Sequence, residues 1–325
     1  YSLTAGKKFG EDLKILFTGS QSTGFEYRSG IFNEYRSNNL YDTFSDVEIY
    51  SKTENTTGLL NIEYEFNLKN SIKATSLFIN KLSDEVYESG RNGQGIVFEE
   101  TAPAEILNQF IRDQNLKQTR LWVNQLHGFH KIWERNELQW SIGYNMVNAD
   151  EPNRIRNEVN FDGEDFVQLG RTGGYQQRKS SQIIDDSELN ALLKDKILFT
   201  SEENSEKTIF VEIGGNYRNK ERNFTSRFFG AEEVMLNIVN PISIDDFSNV
   251  FTTENFENDV LRFHRLKADR YHGSLESAGG FASFNYGAGN WNLNVGARYQ
   301  MNDIEVVFDV NNFPANQPNF AFKSY

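Results

Sequence analysis

Five stretches of the chain alternate apolar and polar residues with a period of two, and each stands beside a very short turn. In 57–66, Leu60, Ile62, Tyr64 and Phe66 fall on one face, while Asn61, Glu63 and Glu65 fall on the other. Successive side chains of a strand point to opposite faces, so this is the pattern of a strand with one apolar and one polar side. Leu13, Ile15 and Phe17 repeat it after a turn at 10–12, and Leu138, Trp140, Ile142 and Tyr144 after a turn at 134–136. Ile209, Val211 and Ile213 follow a turn at 201–206, and Trp291, Leu293, Val295 and Tyr299 follow one at 288–290. The partner strands are less regular. In 71–82, Leu77 and Ile79 face away from Ile72 and Phe78, and in 189–199 Asp195 interrupts an apolar series. About ten strands in five hairpins are predicted.

The connections between hairpins are of another size. Segments 24–56, 83–115, 149–182 and 230–270 far exceed the roughly 15 residues of structureless chain that a compact domain tolerates. Strands are expected to run into both ends of each. All the short turns then lie at one end of the sheet and all the long connections at the other. A soluble sandwich has no reason to sort its loops so. An outer-membrane β-barrel does, with short periplasmic turns and long outer loops. Phe9, Phe66, Trp133, Phe199 and Trp291 each sit within a residue or two of a short turn, where an aromatic girdle at headgroup level is expected. Residues 101–116 read as a short loop helix over the barrel mouth, with Thr101 as N-cap, Pro103 in the first turn, and Ile106, Leu107, Phe110 and Ile111 on one face. Residues 232–259 read as an acidic outer loop.

Composition closes off other classes. The chain has 325 residues, a net charge of −13 and a mean hydropathy of −0.61. It contains no apolar run of about 20 residues, so no transmembrane helix is predicted, whereas barrel strands, apolar on one face only, give a weak hydropathy signal. With 27 Phe and 14 Tyr it is too aromatic for a disordered acidic chain. The absence of cysteine excludes disulfides and thiolate metal sites. The negative charge argues against nucleic acid as a partner. His127 and His130 lie three apart on one strand, so they face opposite ways and cannot chelate one metal. No hydrolase, metalloprotease, P-loop or dinucleotide motif is present, so no enzyme and no cofactor are predicted. Asp245 and Asp246 lack the spacing of a calcium loop and read as solvated acids. Glycine-rich 170–174 reads as a loop bend. The chemistry-bearing set is the polar face of the strands: Glu63, Glu65, Asn145, Glu212, Arg218 and Arg298 are expected to point into a barrel lumen.

Several stretches, in order, resemble the barrel domain of TonB-dependent outer-membrane receptors of Bacteroidota type. YSLTAGKKFGEDLKILFTGSQ looks like an early hairpin. NQLHGFHKIWERNELQWSIGYNMVNADEPNRIRNEV looks like a middle one, with its Asp150-Glu151-Pro152 step. EIGGNYRNKERNFTSRFFG is similar to the pattern GxxYRxKxRxFxxRRF, and ESAGGFASFNYGAGNWNLNVGARYQMNDIEV to a later hairpin ending in GxRYExNDIEV. The resemblance implies a 22-stranded barrel of which residues 1–325 are an internal part, with the plug domain and the TonB-contacting segment lying outside them. It implies outer-membrane lipid, the TonB complex and a small-molecule substrate as partners, in the outer membrane of a Gram-negative bacterium. The implied function is TonB-dependent uptake of a scarce nutrient, a ferric siderophore first, with vitamin B12 and oligosaccharides open. Arg218 and Arg298 would then pair with plug carboxylates. Two other classes stay open: an outer-membrane barrel enzyme, and a soluble β-sandwich that binds glycans.

Overall fold

A computed structural model describes residues 1–93, 108–161, 166–170, 177–200, 207–235, 238–311 and 321–324. The chain is all-β, with 13 strands in one sheet. The first six are β1 (Ser2–Phe9), β2 (Leu13–Arg36), β3 (Asn39–Asn67), β4 (Asn70–Ser89), β5 (Asn108–Trp133) and β6 (Asn136–Phe161). Then follow β7 (Val167–Leu169), β8 (Gln177–Leu198), β9 (Lys207–Glu233), β10 (Leu261–Arg265), β11 (Asp269–Ala288), β12 (Trp291–Asp309) and β13 (Ala321–Ser324). Each strand is antiparallel to the next in the order β1-β2-β3-β4-β5-β6-β8-β9-β11-β12-β13, with β7 added to β6 and β10 to β9. The ten predicted strands are the long members of this path together with β1; β13 lies where residues 320–325 read as the start of a further strand, and only the short strands β7 and β10 have no counterpart in the sequence reading. The one described helix is α1 (Thr253–Glu257), capped by the Thr252 hydroxyl, which accepts from the Asn255 amide.

The two ends of the sheet differ as expected, with one correction. Segment 24–56 is not a loop. β2 and β3 run through it and join at Ser37 and Asn38, whose φ values of 50° and 66° place both in the left-handed region of a two-residue hairpin turn. Alternation continues through β2, where Phe25, Tyr27, Ile31 and Tyr35 alternate with Glu26, Arg28 and Glu34, and fades in 39–56, where both faces are largely polar. The predicted helix is also corrected. Residues 101–107 lie outside the described residues, but 108–116 belong to β5, with Phe110 opposite Val159 and Ile111 opposite Glu158. The turn at 201–206 and the glycines at 173–174 lie outside the described residues as well.

The strands are long. β3 has 29 residues, roughly 95 Å of chain at about 3.3 Å per residue, where about 9–11 residues suffice to cross a bilayer. The surplus lies at the loop end, and the buried apolar core lies there too. Phe110, Val159, Phe161, Val167, Leu169, Val250 and Leu261 form one cluster, with Ile244 and Phe247 of the segment before α1 packed on it. Phe44, Val47 and Ile111 form a second. Phe110 and Ile111 are neighbours on β5, so the two clusters occupy opposite faces of the sheet. Residues 238–259 of the acidic segment are therefore packed on the sheet at the loop end.

Candidate functional site

The register separates the two faces across nine strands. One cross-sheet row runs Ile15, Ile62, Ala74, Leu126, Ile142, Ala191, Tyr217, Ala278, Met301; the next runs Leu16, Asn61, Thr75, Gln125, Gly143, Asn190, Arg218, Ser277, Asn302. Apolar side chains of the first face are open to the surroundings: Ile142 is 49% exposed, Leu193 55% and Tyr299 71%. No second layer covers them among the described residues. A groove of about 650 Å³ opens on this face between Trp140 and Tyr299, floored by Ala191, Gly215, Ala278 and Gly280.

The predicted girdle residues lie at the short-turn end of this apolar face. Phe9 pairs with Leu13, Trp291 with Ala288 and Trp133 with Asn136, and the Phe66 ring meets Tyr64 edge-on at 4.8 Å. Beyond the end of β8, the Phe199 amide donates to the Ile209 carbonyl. All five rings are exposed, from 46% for Phe9 to 82% for Trp291. Sequence reasoning missed a polar group among them. Trp140 Nε1 donates to His130 Nε2 at 3.1 Å, so His130 Nδ1 carries the proton that reaches Asn70 Oδ1 at 3.0 Å. Trp140 lies over Gly128, where a Cβ would come within 2.2 Å of its ring.

All six predicted lumen residues share the polar face, but most are already paired within the sheet. Lys14 Nζ lies 3.1 Å from Glu63 and 2.5 Å from Glu65. Glu212 takes Lys194 at 3.1 Å. Arg218 is held by Glu188 at 2.6 Å, and Asn145 lies in register with that glutamate, its side-chain oxygen buried without a partner. Arg298 donates to Asn216 at 2.7 Å and to Gln300. Partners one strand away are invisible in a single alternating segment, so these pairs required the register. His127 lies on this face and His130 on the other, as predicted. His264 contacts the Glu232 carboxylate, and His272 Nδ1 bonds Asn223 at 2.9 Å.

At the loop end the structure assembles charges far apart in sequence. Arg91 Nε is 2.8 Å and Arg112 Nε 2.6 Å from the Glu88 carboxylate, and both arginines also reach Asp245, Arg91 at 3.0 Å. Both guanidinium groups stand 5.3 Å from the centre of the Phe110 ring. Burial alone would raise the Glu88 pKa, but hydrogen bonds from Arg91 and Arg112 outweigh it and hold the group below its ordinary value. The same two arginines hold Asp245 well below the usual carboxylate range. Asp245 is thus a latch to the β4–β5 end rather than a solvated acid, and Asp246 accepts from the Ser248 amide at 2.9 Å. No group of metal-ligating side chains is found among the described residues.

No protein-family model matches the chain, and no curated protein matches it. Among solved structures, the siderophore receptor PiuA from Acinetobacter baumannii is similar at 11% identity and a TM-score of 0.42, over 98% of this chain and 46% of that one. The chain spans about half the length of that receptor.

Proposed function

We propose that this sheet is part of the wall of a transmembrane β-barrel in the outer membrane of a Gram-negative bacterium, and that the whole protein is a TonB-dependent receptor. Its task would be the active uptake of a scarce nutrient, with a ferric siderophore as first candidate. One observation carries the reading: a mainly apolar face, exposed across nine strands with few interruptions such as Ser76, Asn124 and Asp195, backed by a mainly polar one. In water such a surface is a liability. Against acyl chains it is the expected outside of a barrel, with the polar face lining the lumen. Phe9, Phe66, Trp133, Phe199 and Trp291 then form the periplasmic girdle. Glu63, Glu65, Asn145, Glu212, Arg218 and Arg298 line the wall that faces plug or solute. The ordered resemblance of four sequence stretches supports the choice of a TonB-dependent receptor among barrels. The plug and the TonB-contacting segment would belong to the protein outside these residues.

A soluble glycan-binding sandwich would need the apolar face to meet a second sheet, and the exposure of Ile142, Leu193 and Tyr299 speaks against that. The test has two readouts on the full-length protein. It should fractionate with outer membranes and shift its mobility on heating in SDS. Cells carrying it should accumulate a ferric siderophore only when TonB is intact. Accumulation that survives loss of TonB would defeat the proposal.

A further inference from the structure

We propose that the loop end of the polar face carries a binding site for a multivalent oxyanion, a solute bearing carboxylate or phosphate groups, centred on Arg156 and Arg178. Arg156 of β6 stands directly opposite Arg178 of β8, and like charges so placed repel. On its other side Arg156 faces Asp113. The ladder between β4 and β5 is unbroken from there to Gln125, so Asp113 shares the polar face. That carboxylate is committed to Arg154, which it holds through two bonds of 3.0 and 2.7 Å. Arg156 is left 4.0 Å from Asp113 and 3.6 Å from Glu158, with its Nε buried and lacking a hydrogen-bond partner. Arg178 makes no hydrogen bond or ion pair among the described residues. Its neighbour on β9 is Gly230, which puts no side chain in the way.

Three guanidinium groups therefore meet two carboxylates, and the surplus charge sits on the pair that faces itself. Burial and the proximity of Arg156 lower the Arg178 pKa. A half-buried cation without a partner is costly, and structures keep such groups chiefly where something else satisfies them. The guanidinium fork matches two oxygens of a carboxylate or phosphate. Further along the same face, Gln109, Asn160 and Gln168 form one cross-strand row. All three are buried, and Asn160 Nδ2 is a donor without a partner that an oxyanion could satisfy, whereas the unpartnered atoms of Gln109 and Gln168 are carbonyl oxygens and would not contact it. That the occupant is the solute taken up rests on the uptake reading; the site itself rests on its own geometry.

The test uses the full-length protein in detergent micelles, with citrate and inorganic pyrophosphate as probes and chloride as control. Calorimetric titration should show one of the two polyanions binding, more weakly as salt rises. R178Q and R156Q should each bind at least tenfold more weakly. R178K should fall between, because the charge stays and the fork is lost. Citrate alone would identify a carboxylate solute and pyrophosphate alone a phosphate one. In anion-free buffer R178Q should melt no lower than the wild type, since removing it relieves a repulsion; adding the anion should raise Tm in the wild type only. The proposal fails if neither polyanion binds, if R178Q binds as the wild type does, or if R178Q melts lower without anion. If the anion binds but cells take up no solute through TonB, the uptake reading fails and the site stands.

Discussion

Replacing Phe110 by alanine removes the ring on which the outer segment rests. The side chain is 2% exposed and packs with Val159, Val250 and Leu261. Truncating a buried phenylalanine costs about 3–5 kcal/mol. Loss of the two guanidinium contacts adds roughly 0.5–1 kcal/mol each. Nearly all of this should fall on the segment 242–260 and not on the strand ladders below. Most of its own hydrogen bonds, such as Asn258 N to Glu254 O and Val260 N to Asn255 O at 2.9 Å, are local, and its backbone tie to the end of β9 is Val234 N to Val260 O at 3.0 Å. At about 1.4 kcal/mol per factor of ten, the amides of Val250, Asn258 and Val260 should exchange roughly 10³–10⁵-fold faster, read by hydrogen-exchange mass spectrometry on the full-length protein in micelles. Asp245→Asn is the control. Its side chain is 56% exposed, so the ion pairs it loses are worth about 0–1 kcal/mol each, and Glu88 still holds both arginines. Its effect should stay near tenfold or below. If D245N opened the segment as far as F110A, the argument that packing and not charge holds it would be refuted.

Three further outcomes follow from the geometry. Ile142→Arg on the apolar face, placed near mid-bilayer by its distance from the turn, should lower folding stability in lipid by about 2–4 kcal/mol, whereas Ser141→Arg on the polar face should cost little; urea titration in lipid vesicles compares them, and equal losses would contradict the facing. Gly128→Ala should push Trp140 off His130 and cost about 1–3 kcal/mol, with a shifted emission from Trp140 in a background free of other tryptophans; unchanged emission and stability would count against the contact. The Asp245 latch should be fully present above the unfolded aspartate value near 3.9 and be lost only as pH falls through its depressed native pKa, whose lowering comes from hydrogen bonds of Arg91 and Arg112. Wild type and D245N should therefore differ slightly in amide protection of 242–250 at pH 4, and the difference should shrink as the pH falls to 2; no difference at pH 4 would contradict the shift.

The faces were legible because an apolar and a polar surrounding demand opposite chemistry at successive residues. Leu60 to Phe66 shows this without any partner strand. Past the belt the signal fails for two separate reasons. In 39–56 both faces are largely polar, so alternation has nothing to contrast, and a continuous strand reads as a loop. In 108–116 both faces are partly buried: Gln109, Phe110 and Ile111 are consecutive buried residues. Adjacent apolar residues then imitate a helical stripe, although Phe110 and Ile111 serve opposite cores. The pairs Lys14–Glu63 and Arg218–Glu188 lie 49 and 30 residues apart in sequence, and only register brings them together.

The same register bears on where the wall meets a solute. Near the short turns the charged groups of the polar face are largely matched, as Lys194 is to Glu212 and Lys196 to Glu137. Breaking such a contact offers a passing solute no net gain, because the group gives up one partner for another. At the loop end the balance changes. Arg156 and Arg178 face each other, and the buried Asn160 Nδ2 has no acceptor. Groups in that state have interaction energy left to give, and a ligand that supplies the missing oxygens relieves a cost the protein already carries. Substitutions in the lower wall should therefore change folding stability, while substitutions around Arg178 should change affinity.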